Sequence, residues 1–181
     1  ELMREVRNPV WLYLACILHD IGKGRGGGHS GKGAALVPAI AERLGLDEEA
    51  SRIVEFLVLH HLTMSGMAEQ RDVHDPRLIL RLAKLCGSRL YLRLLYLITV
   101  ADIRSVSPVA WTNWKAGLLE QLYRNAAEWL EAGEEADDDH DDHDLDQREA
   151  AGGGGGAHGC YCLRMDEEVC RMGSITAMTM K

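Results

Sequence analysis

The sequence predicts an all-α domain, a helical bundle of about five to six helices, followed by a disordered acidic and Gly-rich C-terminal tail. Three observations carry that expectation. Apolar residues recur at helical spacing from Pro9 to Ala132, with capping residues and breakers between the runs. No stretch alternates with period two over a convincing strand length. From Glu134 onward the composition can no longer bury anything.

Pro9 is placed to open a first helix through "VWLYLACILHD", which Gly22 stops. In "GAALVPAIAERLG", Leu36, Val37, Ile40 and Leu44 fall on one helical face, and Gly45 ends the run. Pro38 must then lie in the first turn of that helix. Asp47 is a capping residue for "EEASRIVEFLVLHHLTM", with Glu48 and Glu49 where the helix dipole favours acids. Asp75 and Pro76 open "RLILRLAKLC", and Gly87 closes it. "RLYLRLLYLITVADIRS" runs to the Ser107–Pro108 break. "VAWTNWKAGLLEQLYRNAAEWLEAG" is the last helix, stopping at Gly133. The domain is therefore expected over residues 1–133 and the tail over 134–181.

The net charge of −8 belongs to the tail. Residues 134–149 hold ten acids and one base, whereas residues 1–133 hold 16 bases and 15 acids. The folded part is near neutral, so the overall charge says little about its partners. "EEADDDHDDHDLD" is a self-repelling block and "AGGGGGA" a flexible linker. His158, Cys160, Cys162 and Cys170 match no standard zinc spacing.

At 181 residues and 46% hydrophobic, the chain can build one core with an appendage. It starts at Glu1, so residues ahead of it are expected. The longest apolar run, "PVWLYLACIL", is about half a bilayer span, and no signal-peptide pattern is present. Five cysteines, an odd number split between core and tail, suit a reducing compartment. The expected location is cytoplasmic.

The chemistry-bearing stretch is "CILHDIGKGRGGGHSGKG". "GGGHSGKG" satisfies the first seven positions of the phosphate-loop pattern, but Gly33 stands where a magnesium-binding hydroxyl is needed and a helix precedes it. A flexible loop is the better reading. A metal site needs convergent ligands, and imidazole with carboxylate suits Mn, Fe, Zn or Mg. His19 and Asp20 end an apolar helix and can project into one cavity. His61 follows Val54, Leu57 and Val58 at helical spacing, so it faces inward, as a metal ligand or as a core histidine bonded to a carbonyl. Asp102 follows Leu95 and Ile98 on an apolar stripe, where a carboxylate needs a partner: a cation, or a salt bridge to Arg104. His29 sits on the mobile loop between. Three separate segments offering inward ligands favour the metal reading.

"LHDIGKGRGGGHSGKGA", "FLVLHHLTMS", "RDVHDPRLI" and "YLITVADIRSVSPVAWTNWKAGLLEQLY", in order over roughly residues 10–130, resemble the HD superfamily of metal-dependent phosphohydrolases. Within it they are most similar to the HD domain of the bacterial PII uridylyltransferase/uridylyl-removing enzymes. The (p)ppGpp hydrolases usually have two acids after the His–Asp pair, where this chain has Gly22 and Lys23, and the GYP signature of the cyclic-di-GMP phosphodiesterases is absent.

The resemblance implies an HD-domain bundle. It implies that His19 and Asp20 are the metal pair, that Asp102 is the distant aspartate, and that His29 and His61 complete a second position. One or two divalent ions follow, Mn²⁺ or Mg²⁺, with Fe or Zn also suited. The implied reaction is phosphodiester hydrolysis, removing UMP from a tyrosine of uridylylated PII. In that chemistry Asp20 is expected to bridge, Lys23 to hold a phosphate oxygen, Arg104 to be a weaker candidate for that task, and His60 to orient His61. The expected partner is the PII signalling protein, not nucleic acid or a membrane. The family's first metal histidine lies upstream of the pair, and residues 1–18 contain none, so an N-terminally truncated domain with an incomplete ligand set is expected. The nucleotidyltransferase and ACT domains of such enzymes show no motif here. Two other readings stand beside this one: an HD nucleotidase or phosphodiesterase acting on a free nucleotide, and a non-catalytic HD signalling module.

Overall fold

The computed structural model describes residues 2–24, 26–70, 72–106 and 109–148, with backbone alone at 70 and 134–148. Among the described residues all regular structure is helical. A 3₁₀ turn at Leu2–Glu5 precedes α1 (Pro9–Leu18), α2 (His29–Ala34), α3 (Val37–Arg43) and α4 (Glu48–His60). Then come α5 (Thr63–Gln70), α6 (Pro76–Cys86), α7 (Arg89–Val106) and α8 (Asn113–Arg148). None is long and apolar enough to cross a membrane.

Local chemistry explains most of the boundaries. Asn8 caps α1 by accepting from the Val10 N–H at 3.2 Å, with Pro9 in the first turn. Asp47 caps α4 by accepting from the Ala50 N–H at 2.7 Å. Asp75 caps α6, and Gly87 closes it in the left-handed region with its N–H donating to Ala83 O at 2.8 Å.

Several boundaries depart from expectation, among them the end of α1 at Leu18, short of His19–Asp20, and the start of α2 at His29 and not Gly33. The second helix is broken at Ala35–Leu36 into α2 and α3. Pro38 has no N–H to donate to Ala34, so the chain restarts with Pro38 in the first turn of α3. The third helix breaks after His60, for a reason given below. α8 begins at Asn113 and not Val109, with Thr112 Oγ1 accepting from the Lys115 N–H at 3.2 Å. Gly133 does not stop α8, which runs on to Arg148. Gly133 is not in the left-handed region, so it is an ordinary helical glycine, a cost of about 1 kcal/mol and not a cap.

Contacts divide the chain into Glu1–Gly133 and Glu134–Lys181. In the first unit α4 is central and packs against α1, α2, α3 and α7. Ile53, Leu57, Leu92, Leu95, Ile98, Leu119 and Leu122 are fully buried in one cluster. Each such side chain contributes about 1.5–3 kcal/mol by leaving water. Arg93 ties the N-terminal turn to α7 through Glu5 at 2.7 Å. Tyr96 and Tyr123, 4.9 Å apart, join α7 to α8. Cys16 and Cys86 are free thiols, and burial pushes Cys86 up to about 12. The expectations for the acidic side chains, the glycine linker and the tail cysteines fall outside the described residues.

Candidate metal centre

Four segments meet at the site: the end of α1, the start of α2, the end of α4 and the C-terminal half of α7. His19 follows the last residue of α1, and its Nδ1 donates to Cys16 O at 2.8 Å. A continued helix would have used that carbonyl for the Asp20 N–H, so the side chain itself helps end α1. His61 repeats the arrangement at the end of α4, with Nδ1 donating to Val58 O at 2.8 Å. This is why the third helix breaks there. With Nδ1 holding the hydrogen, each ring keeps its lone pair on Nε2.

Those lone pairs face other acceptors. His19 Nε2 lies 3.2 Å from Asp20 Oδ2 and 3.4 Å from Asp102 Oδ1. His29 Nε2 lies 3.6 Å from Asp20 Oδ1. Ligand atoms of Asp20, His29 and His61 all fall within 4.8 Å of one another. The His61 ring centroid is 5.1 Å from that of His19 and 5.5 Å from that of His29. Acceptors gathered this closely repel unless a cation sits among them, whether a proton on an imidazole or a metal ion. The mixed nitrogen and carboxylate donors fit a divalent ion of the Mn, Fe, Zn or Mg type.

Burial and charge set the protonation states. Partial burial pushes Asp20 up, but the Lys23 hydrogen bond and ammonium charge, with the polar rings of His19 and His61 beside it, outweigh it and hold the carboxyl low. Burial pushes His61 down against the Val58 carbonyl, so the ring is held neutral, as a ligand must be. His61 is only 1% exposed. Its two expected roles coexist: Nδ1 satisfies a core carbonyl and Nε2 faces the cluster.

The structure brings together His19, Asp20, His29, His61 and Asp102, with Lys23 on Asp20 at the exposed rim. His29 is not on a loop; it is the first residue of α2, after Gly28 turns the chain in the left-handed region. The described hydrogen bond and ring contact of His60 are not with His61. His60 is buried, bonds Thr63 Oγ1 at 3.4 Å and packs on Phe56, and burial brings its pKa down to about 4. Arg104 lies two residues past Asp102, on the opposite side of α7, and stands 5.9 Å over Trp111. It pairs with neither the cluster nor Asp102 in the contacts described. Thr99 was not foreseen. Its buried hydroxyl, on α7, shares its one hydrogen between Leu95 O at 2.7 Å and His61 O at 3.3 Å, fastening the end of α4 to α7.

The family model of the HD domain matches residues 1–102. The chain is 52% identical over 132 residues to the bifunctional uridylyltransferase/uridylyl-removing enzyme of Gluconobacter oxydans (strain 621H), covering 73% of this chain and 14% of that protein. It is 46% identical over 137 residues to the enzyme of the same name from Chromobacterium violaceum, covering 76% and 16%. For that of Cereibacter sphaeroides the figures are 49% over 125 residues, 69% and 13%. The chain thus spans about one seventh of the length of these curated relatives. No solved structure matches it.

Proposed function

We propose that this chain, which belongs to the HD domain family, is a metal-dependent phosphodiesterase that removes UMP from uridylylated PII. One observation carries the reading: five imidazole and carboxylate groups from four segments converge, and His19 and His61 have already given their Nδ1 hydrogens to backbone carbonyls. The uridylyl-removing activity in the relatives' name supplies the group removed, and the sequence resemblance supplies PII as its carrier.

His19, Asp20 and Asp102 would hold one divalent ion, and Asp20, His29 and His61 a second, with Asp20 common to both. Mn²⁺ or Mg²⁺ is the proposed ion. When bound, it supplies Lewis acidity and charge neutralisation at the phosphate. Asp20 is kept ionised by Lys23 and the neighbouring rings. His61 is kept neutral by burial. Lys23 is 62% exposed beside Asp20, and its ammonium takes a non-bridging phosphate oxygen as a point charge. Water adds to phosphorus, the bond from phosphorus to the tyrosine oxygen breaks, and UMP and tyrosine leave. Phosphoryl chemistry asks little of the protein beyond such positioning. Only the uridylyl-removing half of the relatives' name is proposed for this chain.

The test is UMP release from uridylylated PII with Mn²⁺ and with chelator. Release that requires the ion supports the reading. Turnover of free nucleotides without release from PII would replace PII with a small-molecule substrate. No hydrolysis of either by a folded, ion-loaded chain would leave a signalling module.

A further inference from the structure

The turn after the His19–Asp20 pair is pressed onto α2 at two glycines. A Cβ on Gly22 would lie 2.1 Å from His29 O and 2.7 Å from Gly33 N. Both atoms are backbone, so no side-chain rotation relieves the overlap. Gly22 is buried and is not in the left-handed region, so space and not conformation demands glycine. The contact is reciprocal. A Cβ on Gly33 would meet Val58 Cγ1 at 3.2 Å, Ile21 Cγ2 at 3.4 Å and Gly22 N at 3.5 Å. Gly33 is four residues after His29, on the same face of α2. Val58 is the residue whose carbonyl holds His61 Nδ1. The glycine crossing therefore touches all three segments that carry Asp20, His29 and His61. Gly31, also on α2, has nothing within 4 Å of an added Cβ.

We propose that Gly22 and Gly33 are positioning residues whose contact sets how closely α2 approaches the His19–Asp20 turn, and so holds His29 Nε2 beside Asp20. The inference rests on reading the cluster as a metal centre. It also accounts for the end of "GGGHSGKG": where a phosphate loop needs a hydroxyl, this chain has a packing contact at Gly33. A methyl on Gly22, 2.1 Å from His29 O, forces the two segments apart by roughly 1.3 Å or more to reach ordinary contact. Metal–ligand distances hold to about 0.2 Å, so that shift removes His29 from the set while the helices persist.

The experiment is Mn²⁺ titration of the full chain, read from the paramagnetic resonance of the free ion. The variants are Gly22→Ala, Gly31→Ala, His29→Ala and the Gly22→Ala/His29→Ala pair. The expected result is a roughly 10–100-fold loss of affinity in Gly22→Ala with helical circular dichroism unchanged. Gly31→Ala binds as the parent does. In the His29→Ala background Gly22→Ala adds nothing, which a general loss of structure would not produce. Gly33→Ala, whose nearest neighbour is a side-chain methyl, follows in the same direction but less far, and carries the test if Gly22→Ala does not fold. Parent-like affinity in Gly22→Ala, or losses that multiply in the double variant, would overturn the proposal. No Mn²⁺ binding by the parent chain would overturn the metal reading and the proposal with it.

Discussion

His19 and His61 are placed by one device used twice. Each donates Nδ1–H to the carbonyl three residues earlier at 2.8 Å, each ends its helix by doing so, and the two rings stand 5.1 Å apart. The bond that terminates the helix also fixes the tautomer, leaving Nε2 for the cluster. Helix ends and proposed ligands are thus the same residues.

Asp102→Asn keeps the size of the side chain and removes its charge from the cluster. Ion affinity falls by at least 10-fold and UMP release with it, while unfolding in urea with chelator changes by less than about 1 kcal/mol. A loss of stability much above that figure would make Asp102 a structural partner of His19.

Thr99→Val removes a buried hydroxyl that fastens α7 to the end of α4. Stability falls by about 1–2 kcal/mol because the His61 carbonyl loses its partner. Urea unfolding measures it, and an unchanged midpoint would mean that packing alone holds the two helices.

His60 makes stability depend on pH. Its pKa is held at about 4 in the fold, below the ordinary 6.5, because burial disfavours the charged ring. Its contribution is complete above pH 6.5. As pH falls toward 4 the unfolded chain takes up the proton first, and up to about 3 kcal/mol is lost. His60→Gln should flatten the fall in unfolding free energy over that window. An unaltered slope would assign the loss to other groups.

Lys23→Ala separates local charge from folding. The Lys23 side chain is 62% exposed, so stability changes by less than about 1 kcal/mol. The Asp20 carboxyl, held low partly by Lys23, titrates at higher pH in the ion-free variant, which carbon NMR of the carboxyl can follow. KM for uridylylated PII rises more than kcat falls if the ammonium holds phosphate. No change in either would remove Lys23 from the site.

What the sequence made legible was local or periodic. Asp47, Asp75 and Gly87 announce helix ends because their partners lie within four residues. His61 and Asp102 betray their inward direction by spacing from Leu57 and Ile98. The rest depends on contacts between distant segments. Gly22 reads as a helix stop, yet its constraint comes from His29 O and Gly33 N. His29 reads as a loop residue because a six-residue helix rich in glycine has no periodic signal. Thr99 gives no local signal because its carbonyl partner at the end of α4 lies 38 positions away. His60 and His61 are adjacent in sequence, and only packing shows that one serves Phe56 and Thr63 while the other faces the cluster.

The central claim is that these five residues form a metal centre, and calorimetric titration of Mn²⁺ into the chelator-treated chain at neutral pH tests it most directly. The account predicts saturable binding of at least one ion per chain, abolished by Asp20→Asn, the residue shared by both ligand sets. A chain with full helical content that takes up no ion, or whose uptake ignores Asp20→Asn, would contradict it.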